Sequence, residues 1–170
     1  MCQRLAAEGH AAVAPDLFFR AGGTMAAGFA ELMGALKPDE VQADLEESVA
    51  HLRELGATSV GVTGFCMGGL LTYRAALSGL DVQCAAPFYG ARIAEELGRP
   101  RCPILIFFGG DDEYIPSADI EAVQRHHGDD VVVYPSAGHG FMRDGSVSYD
   151  EAAATDAWKR LLAFFAEHLR

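Results

Sequence analysis

Short β-rich runs alternate with segments of helical pattern along the whole chain, and this alternation leaves few folds open. The runs are "AAVAPD" (Ala11 to Asp16), "TSVGVTGF", "VQCAAPFYG", "PILIFFGG" and "DVVVYP". Several are apolar at successive residues rather than at every second one, as from Ile104 to Phe108. A strand of that kind is covered on both faces. Strands separated by helices need crossover connections, and crossovers build parallel sheets. The predicted class is α/β, doubly wound, with a mainly parallel sheet.

Between the runs lie the helices. "RLAAEG" ends on Gly9, where a left-handed cap costs little. Pro38 to Gly56 reads as one long helix, because Val41, Leu45, Val49, Leu52 and Leu55 recur at three- and four-residue steps. Leu17 to Lys37 is mixed, with a loop at Gly22-Gly23 and a helix after it. "MGGLLTYRAALSG", "RIAEELG", "SADIEAVQRHHG" and the C-terminal "DEAAATDAWKRLLAFFAEHLR" complete the alternation. A chain of 170 residues suits a single domain, 1–170.

The net charge of −11 argues against nucleic acid and anionic membrane surfaces as partners. It leaves a small anionic ligand open, since local arginines can outweigh a global charge. The apolar runs are far too short to span a bilayer. "MCQRLAAEGH" lacks the charged-then-apolar pattern of a signal peptide. Cys2, Cys66, Cys84 and Cys102 form no C-x-x-C pair and no metal-ligand spacing with histidine. The expectation is free thiols in a reducing cytoplasm, with no metal and no cofactor.

The sharpest local feature is "GVTGFCMGG", Gly61 to Gly69. A cysteine stands between glycines, after a strand and before a helix. Gly64-Phe65-Cys66-Met67-Gly68 has the form G-x-C-x-G, which is the nucleophile elbow with sulfur in place of oxygen. The elbow residue is held in a strained conformation, and side chains at the flanking glycines are expected to collide with the turn. The following helix points its positive end at the sulfur and favours thiolate. The Met67 N–H can then donate to an oxyanion. The glycine spacing does not give G-x-G-x-x-G, so a dinucleotide fingerprint is set aside. Cys84 reads instead as a small core residue.

A thiol nucleophile needs a base, and the base needs a group that orients it. "FFGGDDEYIP" and "YPSAGHGF" both follow apolar runs, so their polar residues fall at the same sheet edge as Cys66. The order nucleophile, acid, histidine emerges, with His139 as base and Asp111 or Asp112 as acid. Gly138 and Gly140 are expected to leave the imidazole on a mobile, uncrowded loop. His10, His51, His126, His127 and His168 read as ordinary surface histidines. The adjacent His126 and His127 diverge on a helix and have no third metal ligand.

"GFCMGG", "GGDDEYIP" and "AGHGF", with "RLAAEGHAAVAPDLFFR", together resemble the dienelactone hydrolase family of α/β-hydrolases. The resemblance runs from about Arg4 to near the C-terminus. It implies a Cys-Asp-His triad and hydrolysis of a carboxylic ester or enol-lactone of small size, carboxymethylenebutenolidase-like. By the family's D-x-x-[VI]-P pattern the acid maps to Asp112, the nucleophile to Cys66 and the base to His139. Arg143, four residues after the histidine, corresponds to the arginine that binds a substrate carboxylate in the dienelactone enzymes. Its planar fork suits that role. Tyr89, at the end of its strand, is a candidate pocket residue or a core aromatic. Arg20 and Arg92 lie near predicted edges and are candidate anion binders.

The resemblance also implies strands before the first helix, one of them beside the elbow strand. The loop after that strand supplies a second oxyanion N–H and a glutamate that meets the cysteine. No residue here corresponds to them. The expectation is an N-terminally truncated hydrolase fold, from a longer protein or a shortened gene. A parallel sheet lacking an internal strand leaves buried backbone groups to be paired in another way. A catalytically impaired binding or thiol-responsive module is the rival function, and an esterase with no demand for a carboxylate is a third.

Overall fold

The computed structural model describes residues 1–23 and 28–170, which gather into two compact units, Met1–Thr58 and Ser59–Arg170. The first contains α1 (Cys2–Ala7), a 3-10 turn at Phe19–Ala21, α2 (Phe29–Ala35) and α3 (Pro38–Glu54). Pro38 opens α3, where its fixed φ fits and its missing N–H is not needed. Asp39 and Glu40 lie in the first turn, opposite in sign to the helix dipole there. Gly56 closes it at φ +95°. Its N–H donates to the Arg53 carbonyl at 2.9 Å, and Ala57 N–H donates to Leu52 at 3.0 Å. Gly9 and His10 close α1 in the same way. Of the mixed stretch Leu17 to Lys37, residues 24–27 lie outside the described residues.

Two expectations change in this unit. Ala11 to Asp16 forms no strand. Alternating or apolar residues become a strand only where a neighbouring backbone completes the ladder, and this segment has no ladder partner among the described residues of its unit. Arg20 is not an open anion site, because both terminal guanidinium nitrogens donate to the carboxylate of Asp44 on α3 at 2.7 Å. Asp44 is buried, and this guanidinium holds its carboxyl below the ordinary range.

The second unit contains β1 (Gly61–Phe65), α4 (Met67–Ser78), β2 (Cys84–Phe88), a 3-10 turn at Ile93–Glu96, β3 (Ile106–Gly109), α5 (Ser117–His127), β4 (Val131–Tyr134) and α6 (Glu151–His168). The strands form one parallel sheet in the order β1-β2-β3-β4. Gly61 pairs with Cys84 and Phe65 with Phe88. Ile106 pairs with Val131 and Gly109 with Tyr134. Every β2 and β3 residue is buried, as continuous apolar runs require.

The glycines of β1 show why both faces are covered. A side chain at Gly61 would meet Phe165 and Leu169 at the end of α6. One at Gly64 would meet Gly68 and Thr72 of α4. Residues 61 and 64 differ in parity along the strand, so they face opposite sides of the sheet. Helices therefore pack on both faces, and β1 can be glycine-rich because both approach it closely.

Pro87 sits inside β2, between two neighbours, where a residue without an N–H is unexpected. Its effect is local. On the β3 side, Ala85 N–H donates to Pro103 and Tyr89 N–H donates to Phe107, at 3.0 and 2.7 Å. The step between them, at which residue 87 would donate to Leu105, falls on the proline. The β2–β3 ladder is correspondingly thin, with Phe88–Phe107 and the isolated bridge Ala85–Ile104. Stacking of the Phe88 and Phe107 rings, centroids 4.3 Å apart, joins the strands there instead.

One steric expectation at the elbow is redistributed. A Cβ at Gly64 would lie 2.2 Å from the Gly68 carbonyl oxygen, and one at Gly69 would lie 2.2 Å from that of Phe88. A Cβ at Gly68 meets nothing within 4 Å. The pair that lets α4 touch the sheet is thus Gly64 and Gly69, not Gly64 and Gly68. Gly64→Ala and Gly69→Ala should each cost at least ~2 kcal/mol of unfolding free energy through overpacking against backbone. Gly68→Ala should be neutral or gain ~0.5–1 kcal/mol from helix propensity. Denaturant midpoints of the three variants check this, and a cost at Gly68 matching that at Gly69 would contradict it.

Candidate active site

Because the strands are parallel, their C-terminal ends share one edge. β1 delivers Cys66 there, β2 Tyr89, β3 Asp112 and β4 His139. Cys66 has φ 57° and ψ −118°, a conformation that a non-glycine residue holds only under constraint. Its backbone supplies that constraint. Cys66 N–H donates to the Phe88 carbonyl of the neighbouring strand at 3.1 Å. Its carbonyl accepts from Gly69 and Leu70 N–H at 2.9 and 3.3 Å, starting α4. The side chain is the one part of the residue that the turn leaves for chemistry.

The two adjacent aspartates part company in the structure. Asp111 is exposed, and its N–H donates to the Ala137 carbonyl at 3.0 Å. Asp112 is buried, with a side chain 0% exposed. One carboxylate oxygen accepts from Tyr114 N–H at 2.8 Å, and the other meets His139 Nδ1 at 2.8 Å. A carboxylate only accepts, so Nδ1 carries a proton and Nε2 is left to face the thiol. The imidazole lies close enough to Cys66 for each group to shift the titration of the other.

The charges follow from these contacts. The neighbouring imidazole of His139 is the largest influence on Cys66 and pulls its thiol below the ordinary value. Burial opposes it, and the Met67 N–H at the start of α4 assists. His139 moves the other way, to about 9, first through Asp112 and then through Cys66. Shifts in opposite directions are what a thiol and an imidazole show when each favours the charged form of the other. Cys84, fully buried and without such a partner, is instead pushed up to about 12 by burial.

The histidine loop is not the loose support expected from Gly138 and Gly140. Its carbonyl at Ala137 is hydrogen-bonded to Asp111, and Ala137, Phe141 and Met142 are buried. Glycine matters more on the other side of this contact. A Cβ at Gly109 would lie 2.3 Å from the Ala137 oxygen, so a bare backbone at the end of β3 is what lets the loop settle beside Asp112.

Tyr89 is only 3% exposed and is a core aromatic that also borders the site. Its ring meets His139 edge-on at 5.1 Å and Phe141 at 5.2 Å. Burial pushes its phenol well above the ordinary range. Arg143 is exposed and has no salt-bridge partner among the described residues. Arg92 pairs with Glu95 at 2.9 Å on an exposed turn and is engaged there. His126 bonds the Gly98 carbonyl and His127 bonds the Tyr73 hydroxyl, so the adjacent pair serves α5 packing. Among the described residues no group of three or more His, Cys, Asp or Glu side chains could hold a metal ion, and no helix is long and apolar enough to cross a membrane.

Tyr114 escaped sequence reasoning. Its ring stands edge-on to His139 at 5.0 Å while the residue is 65% exposed. The only signal was its place two residues after Asp112, where an aspartate commonly caps a turn.

Comparison with known proteins agrees with this architecture. The model of the dienelactone hydrolase family matches residues 1–169. A provisionally named carboxymethylenebutenolidase of Salmonella typhimurium is 32% identical over 194 residues, covering 99% of this chain and 71% of that protein. One of Yersinia pestis is 32% identical over 191 residues, covering 99% and 72%. The crystal structure of a provisionally named dienelactone hydrolase from Klebsiella pneumoniae superposes with a TM-score of 0.84 at 31% identity, covering 97% of this chain and 78% of that one. The chain belongs to the dienelactone hydrolase family, and it is a hydrolase of the α/β class.

The geometry makes a direct demand on thiol chemistry. Iodoacetamide should alkylate Cys66 at neutral pH ahead of Cys84, with a pH midpoint below the ordinary thiol value. His139→Ala should move that midpoint upward, since the largest lowering influence is gone. An unchanged midpoint, read by peptide mapping against pH, would contradict the pairing.

Proposed function

We propose that the chain cleaves a small carboxylic ester or enol-lactone through an acyl-enzyme on Cys66. One observation carries the reading: a single imidazole is bonded at Nδ1 to a buried carboxylate at 2.8 Å, and it draws down the thiol of a cysteine held at a strained strand–helix turn. This is the arrangement of an activated nucleophile, its proton carrier and the group that orients the carrier. The reading takes residues 1–170 as one hydrolase domain.

In the first step Cys66 Sγ attacks the carbonyl carbon. The carbonyl electrons move to oxygen, and the Met67 N–H at the positive end of α4 stabilises that charge. As the tetrahedral species collapses, the bond to the leaving oxygen breaks and His139 Nε2 gives that oxygen its proton. The imidazole is then neutral. It takes a proton from water, whose oxygen attacks the thioester, and the carboxylic acid departs as the thiolate re-forms. Asp112 holds Nδ1 protonated throughout, which fixes the tautomer and ring orientation. Arg143 sits on the same loop as His139 with a guanidinium free of salt bridges among the described residues, which suits an anionic group on the substrate.

Cys66→Ala should reduce turnover of 4-nitrophenyl acetate to background while circular dichroism stays unchanged. In the wild type kcat/KM should rise as the thiolate forms, then fall as pH passes through about 9 and His139 loses its proton. Alkylation of Cys66 needs only the thiolate and should not fall there. Ester turnover that survives Cys66→Ala would overturn the reading, as would an alkylatable Cys66 in a protein that hydrolyses no ester.

A further inference from the structure

We propose that Tyr114 contacts the leaving group and sets which leaving groups the enzyme prefers. The inference rests on the hydrolase reading above and extends it to a residue that reading does not use. His139 is flanked by two aromatic rings. Tyr89, 3% exposed, lies against it from the core, and Tyr114, 65% exposed, lies against it from the solvent side. The imidazole between them is 13% exposed.

Proton transfer decides what occupies the space beside this histidine. His139 Nε2 protonates the leaving oxygen as its bond to the acyl carbon breaks, so that oxygen must come within about 3 Å of Nε2. The atoms attached to it then extend past the imidazole. The acyl portion stays on Cys66 and the Met67 N–H. On the core side the space is filled by Tyr89, buried against His139 and Phe141. On the solvent side the Tyr114 ring stands edge-on to the imidazole, centroids 5.0 Å apart. A flat exposed aromatic there offers an edge or a face to an aromatic or conjugated leaving group and little to a small alkoxide.

The backbone of Tyr114 makes the test clean. Its N–H, not its side chain, holds Asp112 Oδ1 at 2.8 Å, and an alanine keeps that N–H. With 65% of the residue exposed, truncation opens no core cavity. The acid and histidine therefore stay in place when the ring is removed.

The experiment compares kcat/KM for 1-naphthyl acetate, 1-naphthyl butyrate and 2,2,2-trifluoroethyl acetate in wild type, Tyr114→Ala and Tyr114→Phe. Tyr114→Ala should lose about tenfold on both naphthyl esters, and less than about twofold on the trifluoroethyl ester, the scale of one aromatic contact. Tyr114→Phe should keep the naphthyl preference, because the ring remains. Iodoacetamide reactivity of Cys66 should not change in either variant. Equal losses on all three esters, loss that follows the acyl chain, or no loss at all would each overturn the proposal. A wild type that hydrolyses none of the esters would overturn the hydrolase reading itself, and this proposal with it.

Discussion

The close approach of α4 to the end of the sheet governs the rest of the site. Gly64 and Gly69 are bare where the helix meets β1 and the Phe88 carbonyl, with room for no Cβ. Only at that distance can the chain turn from β1 into α4 within one residue. That residue, Cys66, takes φ 57° as a consequence. Its backbone is then held on one side by Phe88 and on the other by the first turn of α4, and the sulfur is presented to the sheet edge at the positive end of a helix. Strain at this position is supported by hydrogen bonds that the fold makes anyway.

A second glycine contact does the same for the base. The bare end of β3 at Gly109 admits the Ala137 carbonyl, and the Asp111 N–H bonds it. Asp112 is thereby turned inward beneath His139, while Asp111 faces solvent. A buried carboxylate is costly unless its oxygens are satisfied, and both oxygens of Asp112 have donors. Its hydrogen bond raises His139, and His139 in turn lowers Cys66. The thiol's acidity thus traces back to two places where backbone approaches backbone without a side chain between.

Much of this was legible in the sequence, for reasons that can be named. Continuous apolar runs such as Ile104 to Phe108 report a property of their own residues, coverage on both faces, and so mark strands without knowledge of partners. The G-x-C-x-G turn and the order of cysteine, acid and histidine likewise appear in the chain itself. What was not legible depends on pairing across the fold. Ala11 to Asp16 carries a strand's composition, yet a ladder needs a neighbour that local pattern does not disclose. Gly68 and Gly69 look alike in sequence, and only the angle of α4 against β2 shows that Gly69 is the one packed. Asp111 and Asp112 differ by which way one turn sends them. The family pattern pointed to Asp112, and the structure shows it to be the one that meets the imidazole. Arg20 looked like an anion binder because its partner, Asp44, lies 24 residues away on a helix.

The claim at the centre of this account is that Cys66 carries the acyl group between its two alcoholic and aqueous partners. The most direct measurement is mass spectrometry of protein quenched in acid during turnover of an ester with a slowly released acyl group, followed by peptide mapping. One acyl group per chain is expected, located on the peptide that contains Cys66 and lost when the reaction is allowed to finish. Sustained ester turnover with no adduct, or with the acyl group on any other residue, would contradict it.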